Sequence, residues 1–119
     1  MDFSDTVACT GVCQCSPDGK LVASAANYRL AVRDVYSLQV VQLFSCVDEI
    51  SSLEWSFDSK LVLCVCPKRG IVQIWNVEDD NWHCKIDEGA AGVSFARFTP
   101  DGRHVLTCSE FQVFHFRFL

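Results

Sequence analysis

Eight cysteines, three histidines and two acidic clusters are the residues of this 119-residue chain with types suited to chemistry. The cysteines are Cys9, Cys13, Cys15, Cys46, Cys64, Cys66, Cys84 and Cys108. Thiolates are nucleophiles and zinc ligands, so their spacing decides what they are able to do. Both close pairs, Cys13/Cys15 and Cys64/Cys66, are separated by one residue, whereas structural zinc sites separate theirs by about two to four. In an extended strand, residues i and i+2 share a face. Both pairs lie in apolar runs, so the spacing predicts reduced core thiols, with redox-active thiols and a metal site as the sharper alternatives. A disulfide framework is disfavoured. The segment Met1-Asp2-Phe3-Ser4-Asp5 carries acids where a signal peptide needs bases, and a reducing compartment keeps thiols free.

The remaining candidates fare no better as catalysts. His83 and Cys84 are adjacent, so on a strand they face opposite sides and cannot work as a base–nucleophile pair. His104 directly follows a turn and reads as a solvated strand-end histidine. Glu78-Asp79-Asp80 and Asp87-Glu88 lack the spaced ligand ladder of a calcium loop and read as solvated turn charges. There is no glycine-rich phosphate loop and no nucleophile elbow. The expectation is a non-enzyme with no cofactor and no metal. A net charge of −5, from 15 acidic and 10 basic residues without a basic stripe, disfavours nucleic acid as the main partner. The uncharged stretch Ser37 to Val47 is far shorter than the roughly 20 residues that cross a bilayer. A membrane is therefore not expected as a partner either.

The elements that position these residues are set by a repeat. Ser16-Pro17-Asp18-Gly19-Lys20-Leu21-Val22 recurs as Ser56-Phe57-Asp58-Ser59-Lys60-Leu61-Val62 and as Thr99-Pro100-Asp101-Gly102-Arg103-His104-Val105. Asp18 and Asp58 lie 40 residues apart, and Asp58 and Asp101 lie 43 apart. Each copy makes sense as a hairpin turn: proline presets φ, aspartate bonds back to the backbone, and glycine allows positive φ. A short apolar strand precedes each turn, ending in Trp55 and Phe98 in the second and third copies and in Cys15 in the first. Apolar or alternating runs follow, as strands require. Half of the residues are hydrophobic and nine are Phe, enough for a strand-built core.

A third strand closes each unit, with Val32-Arg33-Asp34-Val35 in the first and Ile74-Trp75-Asn76-Val77 in the second. The spacing predicts strands over 10–15, 20–26, 29–35 and 38–46, then 50–55, 60–66, 70–77 and 80–86, then 93–98, 103–108 and 111–118. A β-sandwich also has short strands, but it does not repeat a pattern in register every 40 or so residues. The pattern is that of a WD40-type β-propeller: all-β, incomplete, about three blades of a longer propeller. Blade 1 covers about 10–46, blade 2 about 50–86 and an incomplete blade 3 about 93–119. Three blades fall short of the roughly four to eight that close a ring, so self-association through open edges or the Phe114/Phe116/Phe118 face is expected. Phe3 to Val7 would complete the last blade of a closed ring.

The likeness extends beyond the fold. Tyr28-Arg29-Leu30, Val32-Arg33-Asp34-Val35, Lys68-Arg69-Gly70 and Pro100-Asp101-Gly102-Arg103-His104 fit one family, and Trp82-His83-Cys84-Lys85-Ile86-Asp87-Glu88-Gly89 is the most specific stretch. With these residues the chain resembles the N-terminal part of the small centrosomal and spindle-pole WD-repeat family, encoded antisense to a tumour-suppressor gene of the p53 group. The likeness fades after Glu110 and Phe111, where a Phe-rich ending departs from the family pattern. The resemblance implies a non-enzymatic scaffold in the cytoplasm and cytoskeleton, at the centrosome or spindle pole. There it would support microtubule anchoring, spindle assembly and ciliogenesis with a coiled-coil microtubule-anchoring protein as partner. The alternative is a WD-repeat adaptor of another pathway, in translation initiation or as a ubiquitin-ligase substrate receptor.

Propellers bind through loops at the ends of their blades, because the strands are buried. Lys68 and Arg69, in a hairpin turn, and Trp82 and His83, at the start of an outer strand, are therefore the candidate protein-binding residues. The plainer reading is that Trp82 packs on its own blade and that Lys68 and Arg69 are solvated charges.

Overall fold

The repeated turn closes in the same way each time. The computed structural model describes residues 12–109 and 114–119. Ser16 Oγ donates to Asp18 Oδ1 at 2.6 Å, and the same Asp18 oxygen accepts the Lys20 N–H at 3.0 Å. The second copy repeats this with Ser56, Asp58 and Lys60 at 2.6 and 3.1 Å. In the third, the Thr99 hydroxyl and the Arg103 N–H both reach Asp101. Position four of each turn is left-handed, at φ 74° for Gly19, 63° for Ser59 and 70° for Gly102. Ser59 adopts this conformation without being glycine, and its Oγ accepts the Asp18 N–H of the neighbouring turn at 3.2 Å.

Three antiparallel sheets follow from these turns. The first orders β1 (Cys13–Cys15), β2 (Leu21–Ala26), β3 (Arg29–Asp34) and β4 (Val40–Ser45) side by side. The second orders β5 (Ser52–Trp55), β6 (Leu61–Cys66), β7 (Ile71–Asn76) and β8 (His83–Asp87). The third contains β9 (Phe95–Phe98), β10 (His104–Cys108) and β11 (Phe114–Phe118), with β10 in the middle. Equivalent residues occupy equivalent places: Val22 pairs with Cys15 and Arg33, and Val62 with Trp55 and Trp75.

Two apolar seams join the sheets. Ala23, Ala25, Leu30, Val32 and Phe44 of the first meet Leu53, Trp55, Val62, Cys64 and Cys66 of the second. Leu63, Val65, Val72, Ile74 and Ile86 then meet Val93, Ala96 and Val105 across the next seam. β6 thus sends alternate residues into opposite seams, which is why its sequence is an unbroken apolar run. Each such side chain contributes about 1.5–3 kcal/mol relative to full exposure. Polar bridges fix the register between sheets: Trp55 Nε1 donates to the Gln14 carbonyl at 2.9 Å, and Gln42 Nε2 to the Val77 carbonyl at 2.9 Å. The buried Gln73 accepts the Val47 N–H at 2.8 Å.

One expectation about the thiols needs correction. Cys64 and Cys66 are buried, but Cys13 and Cys15 are exposed. The spacing argument places each pair on one face without saying whether anything covers it. β1 has a strand on one side only, and no second sheet lies over its Cys13/Cys15 face among the described residues. Cys9, Thr10, the Phe3 to Val7 segment and the start of the last expected strand at 111–113 lie outside the described residues.

Candidate protein-binding surface

The β6–β7 connection is one turn of 3-10 helix, Pro67–Arg69, ended by Gly70 at φ 64°. This turn lifts Lys68 and Arg69 to the end of the blade, beside the linker that leads from β4 to β5. There Lys68 Nζ lies 3.0 Å from Glu49 Oε2, and Arg69 Nε 3.3 Å from Asp48 Oδ2. The Glu49 carboxylate raises the Lys68 pKa above its ordinary value. The Glu49 backbone N–H and then the Arg69 guanidinium hold Asp48 below the usual carboxylate range. The two cations are thus half of a mixed-charge patch. Exposed pairs of this kind are worth about 0–1 kcal/mol, so a partner is able to separate them cheaply.

The same blade end carries Tyr28 and Arg29, with the Arg29 guanidinium 5.5 Å from the Tyr28 ring centre. Bonds from the Cys46 N–H to the Tyr28 carbonyl and from the Ile50 N–H to the Asn27 carbonyl tie that turn under the linker. Surface reasoning on single residues missed this pair, although the turn itself was readable; its signal was an aromatic next to a cation at a hairpin tip.

Trp82 and His83 stand elsewhere. β7 begins just after Gly70 and its Trp75 pairs with His83, so these residues sit at the opposite end of the same hairpin. At about 3.3 Å per residue, the strand separates the two candidate pairs by roughly 15 Å. The structure does not bring them together. His83 stacks on Trp75 at 5.1 Å between ring centres, and Trp75 stacks on Phe44 at 4.8 Å. His83 is therefore the outer leaf of a ring stack that spans the first seam. Trp82 keeps 36% of its surface exposed.

A cleft of about 500 Å³ runs along β1, β5 and β9, the first strands of the three sheets. Cys15, Ser52, Trp55 and Phe95 line it together with an ion pair between Glu54 and Arg97. Glu54 also accepts the Phe98 N–H at 2.6 Å, which stitches β5 to β9. At the second seam, Glu88 takes His115 Nδ1 at 3.1 Å and the Thr107 hydroxyl at 3.3 Å. Both carboxylates are occupied as cross-sheet ties.

Three of the thiols are poorly placed for nucleophilic work. Hydrogen bonding to Cys64 and burial push the Cys46 pKa up to about 12. Hydrogen bonding to Cys46 and burial drive Cys66 up as well, and burial raises Cys84. Such groups stay protonated at neutral pH. Among the described residues, no group of three or more His, Cys, Asp or Glu side chains is arranged to hold a metal ion. No helix among them is long and apolar enough to cross a membrane.

Comparison with known proteins agrees with the blade geometry. The chain superposes on the WD40 propeller of the structure of U3-55K with a TM-score of 0.74 at 15% identity, covering 88% of this chain and 34% of that one. That likeness concerns the fold. No family model matches the chain. In sequence it is 49% identical over 114 residues to the WD repeat-containing protein WRAP73 of Mus musculus. The match covers 95% of this chain and spans about a quarter, 25%, of that relative's length. WD-repeat proteins are typically non-enzymatic scaffolds that bind other proteins. By blade geometry and by sequence together, the chain is a WD-repeat segment homologous to WRAP73.

Proposed function

We propose that this chain belongs to a non-enzymatic scaffold that binds protein partners at the centrosome and spindle pole, where it supports microtubule anchoring, spindle assembly and ciliogenesis. The observation that carries this reading is the 49% identity to WRAP73 along 95% of the chain. The Trp82-to-Gly89 stretch, which the repeat alone does not require, adds to it. The partner is a coiled-coil microtubule-anchoring protein. Because the chain spans a quarter of its relative, the partner's surface extends over blades outside this segment, and the segment alone binds it weakly.

On the segment itself, the mixed-charge end with Lys68 and Arg69 and the half-exposed Trp82 are the contact candidates, at opposite ends of blade 2. His83 contributes by holding the ring stack. A charged heptad flank suits the first end, since its Glu and Lys side chains exchange for the ion pairs already there. Imaging of the tagged chain in dividing cells tests the location: accumulation at spindle poles is expected, and a uniform cytoplasmic signal through mitosis contradicts it. Co-precipitation with the Lys68→Ala/Arg69→Ala double variant and with Trp82→Ala tests the surface. A true aromatic anchor costs about 2 kcal/mol or more on truncation, a loss of roughly thirtyfold in affinity.

A further inference from the structure

We propose that the outer edge of β4 is a self-pairing surface, at which a second copy of this chain adds its own β4 antiparallel across a two-fold axis. Among the described residues, β4 is the last strand of its sheet, with a neighbour on one side only. The Cys46 N–H bonds to the Tyr28 carbonyl, which fixes the alternation of the β3–β4 ladder. Phe44 and Gln42 therefore turn their backbone groups toward β3, and Leu43 and Ser45 turn theirs outward. The register shift opposite Val32 and Arg33 falls at the other end of the strand and leaves Gln42–Ser45 regular.

Between Gln42 and Ser45 the strand carries no charge, proline or bulge of the kind that guards an edge. Its sequence, Val-Val-Gln-Leu-Phe-Ser, lies within the uncharged run from Tyr36 to Val47. Val40, Val41 and Leu43 are all exposed, Leu43 to 64%. β8, the outer strand of the next blade, reads His-Cys-Lys-Ile-Asp and is flanked by Glu78, Asp79 and Asp80. Charges of this kind are how natural sheets block edge pairing.

The exposure of Leu43 does not arise from a missing neighbour. Leu43 pairs with Ala31 as Lys85 pairs with Gln73, so the two are equivalent positions. Blade 1 packs over the face of blade 2 that Gln73 and Trp75 share, yet Lys85 remains exposed. The position lies outside the seam whether or not a blade precedes it.

A second copy is the fitting occupant because the edge complements itself. An antiparallel pairing centred on Leu43 sets Leu43 against its own counterpart and Gln42 against Phe44 of the second copy, within the regular part of the strand. Outward backbone groups then meet outward backbone groups, and no charge faces a like charge. The same operation on β8 would set Lys85 against Lys85. A short strand buries far less than the roughly 1,600 Å² of a standard interface, and the net charge of −5 on each copy opposes approach, so the dimer is weak.

Size-exclusion chromatography with light scattering on the whole chain, under reducing conditions and from micromolar to millimolar concentration, tests this. The wild type is expected to pass from monomer toward dimer. Leu43→Lys, a residue that blade 2 already accommodates at the equivalent place, is expected to stay monomeric over the range with unchanged circular dichroism. Leu43→Glu does the same alone, and an equimolar mixture of the two variants recovers the dimer. Tyr36→Lys, a control at an exposed residue outside the strand, leaves dimerisation unaltered. A wild type monomeric throughout, or an assembly of any size that persists in Leu43→Lys, overturns the proposal.

Discussion

Blades 1 and 2 are built from the same repeat and live in different surroundings. Blade 2 lies between two seams: five of the six residues of β6 are buried. Among the described residues, blade 1 packs through one face, and β2 buries only Ala23 and Ala25. The substitutions follow the environment. Where blade 2 places Trp55 and Trp75 around Val62, blade 1 places Cys15 and Arg33 around Val22. Trp75 is covered by Phe44 and His83, whereas Arg33 bonds the Leu38 carbonyl through one nitrogen and its buried Nε has no hydrogen-bond partner among the described residues. Stability in a repeat protein resides in the contacts between neighbours, so identical turns do not give identical blades.

The largest expected contrast is at two left-handed glycines. A Cβ on Gly70 would stand 2.6 Å from the Gly89 carbonyl oxygen, a backbone atom that is unable to step aside cheaply, whereas a Cβ on Gly19 meets nothing within 4 Å. Gly70→Ala is expected to cost about 2–4 kcal/mol and Gly19→Ala about 1 kcal/mol, the left-handed backbone term alone. Urea unfolding of both variants measures it. Equal losses would mean that the Gly70 turn is no more enclosed than the Gly19 turn.

A cleaner comparison uses one substitution at one repeat position. Val62 is fully buried between Trp55 and Trp75, and Val22 is half-buried between Cys15 and Arg33. Val62→Ala is expected to lose about 2–3 kcal/mol and Val22→Ala about 1 kcal/mol or less, by thermal or chemical denaturation. A larger loss at Val22 would reverse the ranking of the blades.

The smallest effect is on pH dependence. The folded-state pKa of Cys46 is raised from 9.0 to about 12, so the unfolded chain releases this proton first. Its contribution to stability is complete below pH 9 and is lost as pH rises toward 12. Cys46→Ala is expected to flatten that alkaline limb while lowering stability modestly at neutral pH. An alkaline limb of unchanged steepness in the variant would place the titration elsewhere.

Much of this was legible in the sequence, and the misses have physical causes. The turns were readable because Ser16, Asp18 and Gly19 do local work that needs no tertiary partner, and the strands between them followed to within a few residues. Ser59 shows the limit, since a left-handed serine is signalled by its place in the repeat and not by its type. Burial was harder. The spacing of Cys13 and Cys15 matches that of Cys64 and Cys66, and only the presence of a facing sheet separates an exposed pair from a buried one. For the candidate surface, the turn that carries Lys68 and Arg69 is legible, but Glu49 and Asp48 reach them across some 20 residues of chain, a pairing that no local pattern carries. His83, picked for its neighbour Trp82, turned out to lean on Trp75.

Among the described residues, blade 2 is stabilised from both faces and blade 1 from one. Native-state hydrogen exchange resolved to single strands tests it most directly, because protection reports the free energy of local opening. The slowest amides are expected in β6 and β7, with β2 and β3 intermediate and β1 and the regular part of β4 fastest. Protection in β2 and β3 equal to or greater than that in β6 and β7 would contradict the claim.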